Sequence, residues 1–186
     1  MKGGQRVLTL TVGATDVYDE ESETFGTQGG FELQLEHSLV SVSKWESEFE
    51  KPFLGKSEKT ADETLAYIRY MVVSENPPED FLEQLSNENL EAVNAYINRK
   101  MTATWFSDQP GTPKTHEVIT AELIYYWMTV FNIPFACETW HLNRLFTLIR
   151  IANIKQAKPK KMSRAEVARR NRELNAQRKA QLGTKG

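Results

Sequence analysis

The stretch Ile119 to Ile154, ITAELIYYWMTVFNIPFACETWHLNRLFTLIRIANI, carries more large apolar surface than any other part of the chain. It predicts two apolar helices folded back on each other through Asn132-Ile133-Pro134, because proline ends a helix and the residue before it avoids helical backbone. The first, Glu117 to Asn132, is apolar nearly all round. Ile119, Leu123, Tyr126, Trp127 and Val130 lie on one side, and Ile124, Met128 and Phe131 on another. A helix of that kind is expected to be buried. The second, Cys137 to Ile154, is one-sided. Leu142, Leu145, Leu148, Ile149 and Ala152 face a core, and Asn143, Thr147 and Arg150 form a polar stripe.

Upstream of this pair, Leu8, Leu10 and Val12 alternate with polar residues, as do Phe31, Leu33 and Leu35. Two strands follow from that period, pairing as an antiparallel ribbon that must pack on helices to persist. Between them, Asp16 to Thr24 reads as an acidic loop, with Gly26, Gly29 and Gly30 as turn residues. Ser43-Lys44-Trp45-Glu46 has the form of a capping box opening a short helix, with Trp45 and Phe49 on one side and Pro52 as its stop. Thr60-Ala61-Asp62-Glu63 is a second such box, and Leu65, Ile68, Met71 and Val72 follow it at helical spacing. Asn76-Pro77 marks a further helix start with Phe81, Leu82 and Leu85 inward. Ser86 or Asn87 opens another helix, with Leu90, Val93, Tyr96 and Ile97 inward. Ser107 to Pro113 is loop.

Downstream, Lys158-Pro159-Lys160-Lys161 reads as a solvated linker, and Ser163-Arg164-Ala165-Glu166 caps a last helix to about Leu182. That helix has no wide apolar stripe, so packing on its own body does not hold it. The expected fold is therefore α+β and mainly α. A helical domain is built on an antiparallel helix hairpin, with an N-terminal two-stranded β ribbon and a basic C-terminal helical arm. The domain spans 1–156 and the arm 157–186.

Charge divides the same way. Residues 1–100 hold 9 Lys/Arg against 19 Asp/Glu, and residues 101–186 hold 14 against 6. Such asymmetry bears on partners and solubility rather than on fold. One cysteine, Cys137, excludes an internal disulfide framework and a multi-cysteine zinc site. MKGGQRVLTLTVG lacks the long apolar stretch of a secretory signal, and the longest apolar run, Leu123 to Phe135, is too short for a bilayer, so no membrane partner is expected.

The candidates for chemistry are few. Glu138-x-x-His141 matches half of the carboxylate-bridged di-iron motif, but no second copy exists to complete it. This leaves Glu138 as a first-turn acid and His141 at a helix surface. His116-Glu117-x-x-Thr120 lacks the second histidine of a zinc protease. Cys137 lies near a helix start with His141 one turn on, an arrangement that reads as packing before it reads as a nucleophile and base. Asp16, Asp19, Glu20, Glu21 and Glu23 do not have calcium-loop spacing. Gly26, Gly29 and Gly30 precede no phosphate-binding helix. No cofactor is expected and no enzymatic activity. Aromatics at helical spacing, such as Trp127 and Trp140, are core more often than ligand platforms, and Trp105 and Phe106 at a helix–loop junction are those most expected to be exposed. Arg164, Arg169, Arg170, Arg172 and Arg178 lie in the arm among amide side chains, a composition that suits an acidic protein surface, RNA or DNA, or a merely solvated terminus.

Several blocks together resemble the tail assembly chaperones of long-tailed bacteriophages: LEHSLVSVSK (35–44), EKPFLG (50–55), KMTATWFSD (100–108), IPFACETWHLNRLFTLIRIANIK (133–155) and the terminal KKMSRAEVARRNRELNAQRKAQLGTKG. The resemblance runs from residue 31 onward and implies a non-enzymatic protein that binds the tape measure protein in the host cytoplasm before the tail tube polymerises. Tail tube protein and a second copy of the chain are further partners it implies, as is a frameshift-extended form beyond Gly186. Trp140, Asn143, Arg144, Thr147 and Arg150 are the expected contact surface, together with the arm arginines. Trp140 as an aromatic anchor and Arg144 in an internal salt bridge is the structural alternative. A nucleic-acid-binding protein and a minor structural protein of the phage particle are the alternative functions.

Overall fold

A computed structural model of the chain describes residues 7–19, 24–106, 117–156 and 164–183. Met1–Asn153 form one compact unit and Ile154–Gly186 a second. The first opens with β1 (Leu8–Asp19) and β2 (Thr24–Leu35), an antiparallel pair in the register Leu8↔Leu35, Leu10↔Leu33 and Val12↔Phe31, continuing to Asp19↔Thr24. Leu10, Val12, Leu33 and Leu35 are buried on one face, as the alternation requires. The strands are longer than their apolar pattern. Asp16 to Asp19 continue β1, and Gly26, Gly29 and Gly30 belong to β2 rather than to a turn. Pairing survives because the backbone kinks where Gly13 and Gly30 face each other, both at positive φ (+72° and +83°). A Cβ on Gly30 would lie 2.9 Å from the Val12 carbonyl oxygen, so that bend needs glycine.

Helix α1 (Leu39–Phe49) begins four residues before the Ser43 box. Its cap is Ser38, whose hydroxyl accepts from the Ser41 N–H, and Glu50 ends it in left-handed backbone (φ 51°). Ser43 is an interior helical residue. Glu46 is no box partner but a buried carboxylate. Its Oε1 accepts from the Phe53 N–H at 2.7 Å, and its Oε2 accepts from the Ala121 N–H at 2.6 Å. One side chain thus satisfies the loop after α1 and the first N–H of a helix 75 residues on.

Helix α2 (Ala61–Met71) carries the capping box the sequence predicts, Thr60 with Glu63. Helix α3 (Asn87–Ile97) starts at Ser86, with Asn89 completing the reciprocal pair. Between them no helix follows Asn76-Pro77. Asn76 adopts positive φ, and the backbone bonds Phe81 N–H to Pro78 O, Glu83 N–H to Asp80 O and Gln84 N–H to Phe81 O make single turns. Pro77 and Pro78 supply no N–H, and Phe81 still reaches the core.

Helix α4 (Ala121–Val130) is capped by Thr120 and is shorter than its apolar pattern. Ala121, Ile124 and Met128 are buried, but Tyr126 is 62 % exposed and Val130 45 %, so the helix is one-sided after all. A 3-10 helix (Phe135–Thr139) then precedes α5 (Leu142–Gln156), whose Leu142, Leu145 and Ile149 are buried. The turn occupies residues predicted to begin the second long helix. α1, rather than the α4–α5 pair, is the packing centre: it lies against α2, α4 and the 3-10 helix, while α3 lies against β1. Trp45 shows why. It is buried from α1, with its indole N–H donating to the Glu63 carbonyl at the start of α2.

The second unit contains α6 (Arg164–Leu182), followed by Gly183 at positive φ. Every side chain described on α6 is exposed, and Arg169 pairs with Glu173 one turn on. The predicted loop at 107–113 and the Lys158–Lys161 linker lie outside the described residues.

Glu46→Ala is expected to lower the urea midpoint without changing the slope, at a cost of about 2–4 kcal/mol, because two buried N–H groups lose a charged acceptor. Glu46→Gln keeps one acceptor oxygen and should fall between wild type and alanine.

Candidate functional site

Two constellations of polar and aromatic side chains stand out, one buried and one open. The buried one gathers around Glu36-His37-Ser38, where β2 ends. The Tyr96 hydroxyl of α3 donates to Glu36 Oε1 at 2.9 Å, and His37 Nδ1 shares a hydrogen bond with the Tyr67 hydroxyl of α2. His141 is 2 % exposed, not at the helix surface its spacing suggested. Its ring lies edge-on to His37 with centroids 5.1 Å apart. The partners of His141 define its tautomer. Nε2–H donates to the Tyr96 carbonyl at 3.1 Å, and bare Nδ1 accepts from the Asn143 N–H at 3.3 Å.

A proton added at Nδ1 would point at a donor, so the neutral imidazole is the one that fits. Burial lowers the His141 pKa, and burial, followed by the repulsion that two protonated rings would exert on each other, lowers that of His37 to about 3. Burial likewise pushes the Tyr67 and Tyr96 phenols up. These groups are kept neutral and hydrogen-bonded inside the core.

The other candidates for chemistry are also tied into structure. Glu138 accepts from the Tyr125 hydroxyl at 2.8 Å. Cys137 is buried, and burial raises its thiol pKa against a smaller lowering by Arg144, the reverse of an activated nucleophile. No group of three or more His, Cys, Asp or Glu among the described residues is placed to hold a metal ion.

The open constellation is a groove of about 440 Å³ between the segment 98–106 and α5. Its walls are Trp105, Phe106 and Phe146, with Lys100, Arg150, Asn98, Asn143, Thr102, Thr104 and Thr147. Met101 at positive φ (51°) turns the chain out of α3, and Thr102 to Phe106 run back along α5 without regular structure. Asn143 Nδ2 anchors that return by donating to the carbonyls of Ile97 (3.1 Å) and Arg99 (2.8 Å), which end α3. Trp105 is 82 % exposed and lies under the Lys100 ammonium, 4.3 Å from the ring centroid. The Arg150 guanidinium lies over Phe106 at 4.0 Å. Both lining cations are thus poised over aromatic faces.

Of the residues expected at a contact surface, Asn143, Thr147 and Arg150 come together in this groove. Thr147 Oγ1 donates to the Asn143 carbonyl, one turn back. Trp140 and Arg144 form a separate stacked pair, with the guanidinium 4.1 Å from the ring centroid and in no ion pair among the described residues. Arg164, Arg169, Arg170, Arg172 and Arg178 are exposed on α6. Lys100, Phe146 and the two threonines were not singled out in advance. The period-two Thr102-Ala103-Thr104 beside Trp105-Phe106 was the available signal for an extended wall. Tyr126 and Val130 of α4 are exposed as well, as is Val118 before its cap.

Set against family models, curated proteins and solved structures, the chain matches none.

The buried imidazoles make stability depend on pH in one direction. With the His37 pKa lowered from 6.5 to about 3, the unfolded chain binds more protons than the folded one between those values, so stability is complete above 6.5 and falls as pH drops. Glu63 is held below the usual carboxylate range, first by its hydrogen bond from Lys51, and its contribution is lost only at still lower pH. Urea unfolding should show a loss of about 2 kcal/mol between pH 7 and pH 5. The dependence should flatten in His37→Gln. A thiol reagent should modify Cys137 at least about tenfold more slowly in the native protein than in urea, since a buried neutral thiol is inert.

Proposed function

We propose that the protein holds another polypeptide and catalyses no reaction, and that it serves as a tail assembly chaperone for a phage tape measure protein in the cytoplasm of the infected host. The observation that carries this is the solvent-facing aromatic groove of Trp105, Phe106 and Phe146. It offers apolar surface and cationic edges but no general base, nucleophile or metal-ligating cluster. Tape measure proteins are long helical chains whose apolar stripes aggregate unbound, and grooves with aromatic anchors cover such stripes. The sequence blocks resembling tail assembly chaperones include residues of both walls of the groove, Lys100 to Phe106 on one side and Asn143 to Arg150 on the other. The exposed side of α4 adds apolar surface of the same kind.

One observation favours a second reading, binding of RNA or DNA through the arm: α6 carries six Lys/Arg against two Asp/Glu, all of those described being exposed. Salt separates the two. Phosphate contacts weaken steeply as counterions are no longer released, whereas apolar contacts do not. Co-expression with the tape measure and tail tube proteins should keep the tape measure soluble and recover it in a pull-down after high-salt washing. Recovery of nuclease-protected nucleic acid with no tail protein would overturn the chaperone reading. Abundance in purified particles, measured by mass spectrometry, would make the protein a structural component of the particle instead.

A further inference from the structure

The groove carries a charge pattern unlike the rest of its unit. Residues 1–153 hold 12 Lys/Arg against 23 Asp/Glu. Yet among the described residues the ionisable side chains lining the groove are Lys100 and Arg150, and no carboxylate lines it. A cationic trough in an otherwise acidic body selects for local negative charge. The aromatic walls demand an apolar element beside that charge. Asn98, Thr102, Thr104 and Thr147 add hydrogen-bonding groups at the rim, which suits a peptide backbone.

We propose that this groove receives a short acidic segment of a partner polypeptide, with an apolar or aromatic side chain against Trp105 and Phe146 and a carboxylate against Lys100 or Arg150. This rests on the polypeptide-holding function and names the chemistry of what is held. A carboxylate approaching Lys100 or Arg150 meets a cation already positioned over a ring, so little side-chain freedom is lost on binding. The exposed indole of Trp105 becomes the central anchor, desolvated only when the partner arrives.

Fluorescence anisotropy of the full chain with a short fluorescein-labelled peptide alternating Glu with Leu and Phe tests the assignment. Its Lys-for-Glu counterpart and a thymidine oligonucleotide of equal length serve as competitors. The acidic peptide should bind and resist both. Trp105→Ala and Arg150→Glu should each weaken it about tenfold or more, as loss of an interface anchor does. Both positions are exposed, so the circular dichroism and urea midpoint should stay at wild-type values; Lys100→Glu provides a third, independent variant. Equal binding of the basic peptide, displacement by the oligonucleotide, or wild-type affinity in all three variants would overturn the proposal. So would a dimer that Trp105→Ala dissociates, since the occupant would then be a second copy. The two levels separate. Tape-measure capture that survives Trp105→Ala, with no acidic-peptide binding, removes the groove assignment and leaves the holding function. Peptide binding that depends on Trp105, with no tape-measure capture, upholds the groove and removes the phage partner.

Discussion

The five residues Gln34 to Ser38 bind the first unit together. Their backbone is held from both sides: the Glu36 N–H donates to the Met71 carbonyl, the Gln34 carbonyl accepts from Val73, and the His37 carbonyl accepts from the Leu142 N–H at 2.7 Å. Their side chains reach α3 through Glu36, α2 and His141 at the threshold of α5 through His37, and α1 through the Ser38 cap. Buried polar groups cost free energy unless every one finds a partner, so such a network accepts one arrangement of its elements and penalises the rest. Among the described residues no buried side-chain nitrogen or oxygen lacks a hydrogen bond, so here that condition is met. Glu46 repeats the device a few residues on, coupling the loop after α1 to the start of α4.

This use of the titratable groups separates stability from binding. Residues that suggest catalysis on paper are consumed in the core, where neutrality suits them. At the groove, the side chains left at the surface are aromatic, cationic and polar. The groove also depends on the core. Asn143 holds the segment leaving α3, and Asn143 is itself placed by His141. A partner docking there would therefore contact a wall braced by the same network that assembles the helices.

Local signals were legible where the interaction is local. The box at Thr60, the helix start at Ser86, the period-two ribbon core and the exposure of Trp105 all follow from neighbouring residues. The Ser43 box misled because Ser38, five residues earlier, is the residue whose backbone the rest of the fold pins. The apolar girth of α4 overstated its burial because hydrophobicity does not say which side a neighbour will cover. His141 resisted assignment for a related reason: its partners are a carbonyl 45 residues away and a ring from the ribbon's end. In the groove, the polar stripe of α5 was visible, but the opposite wall was not, since nothing local brings Thr102 to Phe106 beside it.

The sequence by itself determined the mainly helical class with its N-terminal ribbon, the starts of α2, α3 and α6, the division into an acidic body and a basic arm, and the lack of any complete catalytic or metal-binding motif. These depend on period, capping and composition, which act over a few residues or over the chain as a sum. Only the tertiary structure decided that α1 is the packing centre, that two histidines meet inside the core, and that two cations share a groove with three aromatic rings. Each of those requires groups tens of residues apart to lie within a few ångströms. Such proximity arises when burial of apolar surface and the satisfaction of buried hydrogen bonds select one packing among many that the same local pattern allows.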